Sequence, residues 1–235
     1  MKIEPTSFSQ IPFEFSSFKK RDFASFVEGE NQPLIYSLNT IIEKEKRDSL
    51  YIWGPTGTGK THLLQAACKK AYEINCHVTY IPLKQYKDFS FEMLDGLGEL
   101  DLVCVDDLEY ISDSIEWQQR LTLLFNEIRD NHNSIIISSA VSPKNINIEL
   151  NDLKSRLVWG QAYKIKSPND ELKIEILRKK AAERSFQLGN DVAEFLIRRS
   201  NRDLNSLIEI LAEIDRSSLA EKRKVTIPFI KKLIS

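Results

Sequence analysis

The sequence predicts an α/β fold: a mostly parallel sheet covered by helices on both faces, followed by an all-helical unit. Three observations predict it. Short, near-continuous apolar runs alternate with amphipathic stretches up to Pro168. A glycine-rich turn of the phosphate-binding type joins the first of those runs to the helix behind it. Beyond Pro168 the strand-like runs stop and only helical periods remain.

Residues 1 to about 21 read as an extended tail rich in Ser, Phe and Pro, with Phe8, Ile11, Phe13 and Phe15 close together. A short helix is predicted over about Pro33 to Lys46, where Leu34, Leu38, Ile41 and Ile42 share a face. A strand centred on 50–53 ends in the glycine-rich turn, and Lys60–Glu73 is helical. Further strands are predicted near 78–82, 102–106, 134–139 and 161–165, with an amphipathic helix over Glu116–Asp130. After Pro168, helices are predicted over Glu171–Ser185, Asp191–Ser200, Asp203–Leu219 and about Pro228–Ile234, with Ser167, Asn169 and Thr226 as candidate caps. The division this implies is 1–21 as a tail, 22–166 as an α/β domain and 167–235 as an all-helical unit. No internal repeat interrupts it.

The chain has 235 residues, 42% hydrophobic and 29% charged, a globular balance that excludes global disorder. No apolar run approaches the ~20 residues a spanning helix needs, and residues 1–15 carry no apolar core of a secretory signal. Lys and Arg number 33 against 34 Asp and Glu, so broad coating of DNA by a basic face is not expected. Cys68, Cys76 and Cys104 form no CxxC pair, and the three histidines are scattered. A disulfide framework and a metal cluster are therefore not expected, and a reducing, cytoplasmic setting is. Trp53, Trp117 and Trp159 read as packing residues in the core or between lobes. The run Lys222-Arg223-Lys224 reads as a solvated surface of the helical unit.

The strongest signal is Gly54-Pro55-Thr56-Gly57-Thr58-Gly59-Lys60-Thr61, a full G-x-x-x-x-G-K-[ST] match between a predicted strand and a predicted helix. Glycines let backbone N–H groups turn inward around a polyphosphate, and the helix N-terminus adds a favourable dipole. Lys60 would reach the β- and γ-phosphates, and the Thr61 hydroxyl would coordinate Mg²⁺. Downstream, the apolar run Leu102–Val105 ends in Asp106 and Asp107. An acid at the end of a buried strand beside a phosphate loop is suited to Mg²⁺, which makes Asp106 the metal-side candidate. Asp107 reads either as the residue that orients a hydrolytic water or as a loop acid.

With these two motifs placed, the chain resembles the AAA+ P-loop ATPases of the DnaA initiator family, and within it the DnaA-related regulatory inactivators. The likeness covers nearly the whole chain. It implies a five-stranded parallel sheet flanked by helices, with a C-terminal all-helical lid. Residues 23–29, FASFVEG, resemble the family's adenine-contacting segment, which implies that Phe26 and Val27 contact the base. Residues 153–160, LKSRLVWG, resemble the box that holds an arginine finger, which falls on Arg156. Taken alone, that arginine reads as an ion-paired surface group. Residues 201–204, NRDL, resemble the lid's second sensor, with Arg202 on the phosphates. Residues 223–229, RKVTIPF, carry the same likeness.

Departures from the initiators sharpen the reading. Ser138-Ser139 occupy the first-sensor strand end, but Ala140 and Val141 stand where the initiator pattern has an acid and Arg. The stretch Leu83–Leu100 is short for the helical insertion with which initiators handle single-stranded DNA, so DNA melting is not expected. The chain stops at Ser235 in the last lid helix, where an initiator continues into a helix-turn-helix, so an origin reader is not expected either. Residues Gln10-Ile11-Pro12-Phe13-Glu14-Phe15 resemble the Q-L-x-L-x-L/F peptide that docks on the bacterial sliding clamp. Gln10, Ile11, Phe13 and Phe15 would be its contact residues.

The resemblance therefore implies a negative regulator of replication initiation. It would bind ATP or ADP with Mg²⁺ and link DnaA to the β sliding clamp of DNA polymerase III on DNA. It would stimulate hydrolysis of DnaA-bound ATP through Arg156, giving inactive ADP-DnaA. DNA would be reached through the clamp, no membrane is involved, and the chain would be a monomer or a nucleotide-dependent homodimer. Two other classes fit the motifs: a stand-alone AAA+ ATPase such as a DnaC-like helicase loader, and an adaptor in which nucleotide only sets shape.

Overall fold

The computed structural model of the chain describes residues 21–43, 48–199, 204–221 and 225–233. The peptide with Gln10, Ile11, Phe13 and Phe15, the lid residue Arg202, the basic run 222–224 and the last residues of the predicted 33–46 helix lie outside them.

Five strands form: β1 (Ser49–Trp53), β2 (Val78–Pro82), β3 (Leu102–Asp106), β4 (Ser134–Ser139) and β5 (Gln161–Lys164). All pair in parallel, in the order β2-β3-β4-β1-β5. Side chains alternate across a strand, and here both faces are covered. Leu50, Ile52, Cys104 and Ile136 pack towards α1 (Gln32–Ile42) and α2 (Lys60–Glu73). Tyr51, Val103, Val105, Ile135 and Ile137 pack towards α3 (Ile115–Asp130) on the other side. Burying a Leu or Ile side chain stabilises by about 1.5–3 kcal/mol, and each central strand does this on two faces. The continuous apolar runs are thus the direct record of a doubly covered sheet.

The helix predicted over 33–46 runs over 32–42, with Glu43 in a turn. Short 3-10 turns at Leu83–Asp88, Phe91–Leu94 and Leu97–Glu99 fill the space between β2 and β3. They pack on α3 through Leu83 and Leu94, and no α-helix forms in that stretch. α4 (Asn151–Leu157) precedes β5.

Residues beyond β5 form α5 (Asp170–Glu183), α6 (Asn190–Arg199), α7 (Leu204–Glu221) and α8 (Ile227–Leu233). They carry their own apolar core, including Leu177, Leu196, Leu207, Leu211, Ile214 and Ile230. Of the candidate caps, Asn169 serves: its Oδ1 accepts the Leu172 N–H at 2.9 Å, and Asp170 and Glu171 occupy the first turn, where the helix dipole favours acids. Ser167 lies too far upstream to cap α5.

All three cysteines are free and buried. Trp117 packs in the core and Trp53 is half-buried beneath Lys164. Trp159 departs from the packing expectation: it is 51% exposed. No helix among the described residues is long and apolar enough to cross a membrane.

Candidate nucleotide site

The carboxyl ends of β1, β4 and β3 lie side by side, the position where open α/β sheets bind ligands. The loop after β1 is shaped by two glycines. Gly59 has φ +97°, and a Cβ there would meet the Phe26 ring at 2.8 Å. A Cβ on Gly54 would stand 2.4 Å from the Ile165 side chain. Any larger residue would close the cradle from two sides. The Gly54 N–H donates to the Ser139 carbonyl at 3.2 Å, tying the loop to β4. The Thr58 hydroxyl donates to the Pro55 carbonyl at 2.8 Å. Lys60 opens α2 and is 6% exposed. Its Nζ donates to the carbonyls of Gly54 (2.8 Å) and Pro55 (3.1 Å), so the ammonium is held in the mouth of the loop. Thr61 follows in the first turn of α2, half-buried, while Pro55 and Thr56 are exposed on the loop's tip.

At the end of β3, Asp106 is 2% exposed and both its oxygens are engaged. The Tyr80 hydroxyl donates to Oδ2 at 2.6 Å, and the Ser138 hydroxyl donates to Oδ1. Asp107 takes a left-handed backbone (φ +60°) and its N–H donates to Ser138 Oγ at 3.0 Å. Burial, aided by the charges of Asp106 and Glu109 and opposed by Lys60 and Lys84, pushes the Asp107 carboxyl up to about 6. Lys60 is therefore within electrostatic reach of this strand end.

Residues 21–31 lie over the start of α2. Asp22 caps the turn Phe23–Ser25 by accepting the Ser25 N–H at 2.7 Å, and it pairs with Lys69 at 3.2 Å. His62 Nε2 stands 2.9 Å from the Asp22 carbonyl and 3.2 Å from Ser25 Oγ, and its ring is tilted on that of Phe26 at 5.7 Å. From α5, Lys179 donates to the Ala24 carbonyl. Phe26 thus leans over Gly59, with Val27 half-buried beside it, on a segment wedged between α2 and the lid.

Burial holds the His62 imidazole below its usual 6.5, helped by Lys180 and Arg21 and opposed by the Asp22 backbone and carboxylate. The folded state therefore binds the proton less well than the unfolded one. The His62 contribution to stability is complete above pH 6.5 and is lost as pH falls below it. Urea unfolding from pH 7.5 down to 5.5 should show the wild type losing stability relative to His62→Gln; parallel curves would contradict this.

Arg156 closes α4 and is 8% exposed. Its Nε donates to Asn126 Oδ1 at 2.9 Å, and Nη1 donates to the Asp152 carbonyl and pairs with the Asp152 carboxylate, both at 2.7 Å. Its guanidinium lies 5.2 Å from the centre of the Trp159 ring, and that of Arg129 lies 5.1 Å from the same ring.

The structure thus brings together residues 54–61, Phe26, Val27, Asp106 and Asp107, and it places Arg156 on a separate face with its own partners. Tyr80, His62, Asn126 and Asp152 are the contributors that motif reading did not find. Only Asp152 left a signal, the i,i+4 spacing to Arg156.

This sheet order, with a phosphate loop after β1, an acidic end to β3 and a separate helical unit at the C-terminus, defines an AAA+ P-loop ATPase fold. Residues 18–164 match the bacterial DnaA ATPase domain and residues 170–234 match the family described as Hda, lid domain. The chain belongs to the bacterial DnaA ATPase family, and that membership ties it to replication initiation. Among solved structures it is similar to domain III of the Thermotoga maritima replication initiation protein DnaA. That likeness has 23% identity and a TM-score of 0.81, over 90% of this chain and 94% of that one. AMPPCP-bound DnaA from Aquifex aeolicus is 24% identical, with a TM-score of 0.68 over 81% of this chain and 63% of that one. The Thermotoga maritima RuvB Holliday junction branch migration motor is 17% identical, with a TM-score of 0.67 over 90% and 70%.

Proposed function

We propose that the chain is an adenine-nucleotide-bound negative regulator of replication initiation, in which a DnaA-type ATPase domain and an Hda-type lid serve to act on DnaA itself. The observation that carries this reading is the pairing of those two family matches along one chain.

In this reading ATP or ADP lies in the cradle of Gly54, Pro55, Thr56, Gly57, Thr58 and Gly59. Lys60 donates to its phosphates, and Phe26 and Val27 border the base. The donor set fits Mg²⁺: Thr61 offers a hydroxyl oxygen and Asp106 a carboxylate, both hard ligands. Bound Mg²⁺ would neutralise polyphosphate charge. Tyr80 and Ser138 hold the Asp106 carboxylate in one orientation. Arg202 in the lid would close on the phosphates.

Residues 1–21 act as the tether, with Gln10, Ile11, Phe13 and Phe15 entering the β sliding clamp of DNA polymerase III, so that DNA is reached through the clamp. Residues 22–166 bind nucleotide and residues 167–235 form the lid. Tethering raises the effective concentration of the chain near its target without new contacts to it. Arg156 is then lent to ATP held by DnaA, which leaves the inactive ADP form.

The test is DnaA ATP turnover on clamp-loaded DNA. Adding the chain should accelerate it, and Gln10→Ala/Phe13→Ala should lose both clamp pull-down and acceleration. Acceleration that persists without clamp retention overturns the tether. A second reading is favoured by the place of Asp107: next to Asp106 at the carboxyl end of β3, with its N–H fixed on Ser138, it is set to orient a water for hydrolysis by this chain alone. A stand-alone ATPase of the helicase-loader kind would turn over ATP without DnaA, and Asp107→Asn would stop it.

A further inference from the structure

Arg156 is satisfied within its own subunit. Three side chains meet on it: Asn126 of α3, 30 positions away, Asp152 one turn back on α4, and Trp159 just after the helix. Its side chain is only 10% exposed, whereas Asp152 is 65% exposed. With Nε and Nη1 engaged, only Nη2 carries none of these bonds, so the guanidinium does not present its full fork to the phosphates of a second subunit. It must first give up charge-assisted bonds, which are among the stronger polar contacts in proteins.

The surroundings look built for contact. Trp159 is 51% exposed and its neighbour Val158 50%. Leu123, 47% exposed, lies one turn before Asn126 on the solvent side of α3. A half-exposed tryptophan flanked by apolar side chains and two arginines has the composition of an interface centre. The guanidinium groups of Arg129 and Arg156 match the charge of a polyphosphate.

We propose that Asp152, Asn126 and Trp159 form a latch that stows Arg156 in the free chain, and that the nucleotide-bearing face of a partner subunit opens it by pressing on the exposed indole. The latch rests on the finger reading of Arg156 given above. Trp159, Asp152 and Asn126 are positioning residues: they touch the arginine and not the reacting atoms. The latch makes the stimulating form a minor population until a partner docks, so a stray nucleotide site does not meet a free guanidinium. Apparent affinity is lowered by the fraction of chains in the released form.

The test uses the full-length chain with ATP-loaded DnaA and clamp-loaded DNA, titrating the chain and reading half-saturation and maximal turnover separately. Asp152→Asn removes the carboxylate charge and keeps its shape. It should lower half-saturation by about 2- to 5-fold, the size expected for losing an ion pair whose acid is largely exposed, with maximal turnover unchanged. Asn126→Asp adds a charge facing Nε and should raise half-saturation. General damage to α3 or α4 would move both variants the same way. Half-saturation that is unmoved or raised by Asp152→Asn, while Arg156→Ala is inactive, overturns the latch and leaves the finger standing. Full activity in Arg156→Ala overturns the finger and the latch with it. A change in Trp159 fluorescence on adding DnaA, missing in Trp159→Phe, is the second expected signature. Its absence in the wild type removes the trigger.

Discussion

Arg156→Ala is expected to remove the acceleration of DnaA-bound ATP hydrolysis while leaving clamp retention and nucleotide binding by the chain in place. An arginine supplied in trans contributes about 10³–10⁵ in rate, because its charge meets negative charge that grows on the transferred phosphoryl group. The loss should therefore be about 10³-fold or more where hydrolysis is followed in single turnover. Arg156→Lys should recover little, since a single ammonium does not offer the planar fork of donors that matches phosphate oxygens. The fold should tolerate the change. Alanine frees an Asp152 carboxylate that is already 65% exposed and can be solvated where it stands, but it also removes the bonds to Asn126 and the Asp152 carbonyl and the contact with Trp159, so the stability loss should be about 1–3 kcal/mol. A variant that stays folded, holds the clamp and still stimulates DnaA like the wild type would exclude Arg156 as the donated group.

That assignment also marks where sequence reading stops. The sheet was legible because each central strand is buried on two faces, so Leu102–Val105 and Ser134–Ile137 could not alternate with polar residues. The phosphate loop was legible because its chemistry is local: eight consecutive residues supply the turn, the ammonium and the hydroxyl. Asp106 was legible as the acid ending an apolar run. Its hydroxyl partner Tyr80 was not, because it arrives from a neighbouring strand 26 positions away; Ser138 was placed at its strand end by resemblance, but its bond to Asp106, 32 positions away, was not readable. The same holds for Arg156 and Asn126, 30 positions apart. α4 spans seven residues, too few to show a helical period that separates it from a loop. Trp159 misled for a further reason: an apolar side chain in the sequence does not reveal whether it is buried, since folded surfaces are themselves largely apolar.

Lys60→Ala is expected to weaken nucleotide binding by about 10- to 100-fold, the range for losing a charged hydrogen bond worth about 1.5–3 kcal/mol. Thermal unfolding with and without nucleotide gives the cleanest reading. A ligand at 100 times its dissociation constant stabilises the folded state by about 2.7 kcal/mol, which for a chain of this size raises Tm by roughly 5–10 °C. The wild type should show that rise with ADP and Mg²⁺, and Lys60→Ala should show only about 1–6 °C at the same concentration, where the ligand stands at about 1 to 10 times the variant's dissociation constant. Lys60 also holds the carbonyls of Gly54 and Pro55 in the absence of ligand, so the variant should be somewhat less stable even without nucleotide. The two effects separate because the first depends on nucleotide concentration and the second does not. The outcome for DnaA stimulation then discriminates between two classes. If Lys60→Ala loses nucleotide and stimulation together, bound nucleotide holds the arrangement of α3 and α4 that presents Arg156. If it loses nucleotide and stimulates unchanged, the loop at 54–61 is not part of the stimulating machinery, and the chain acts on DnaA as an adaptor whose working parts are the tether and the guanidinium.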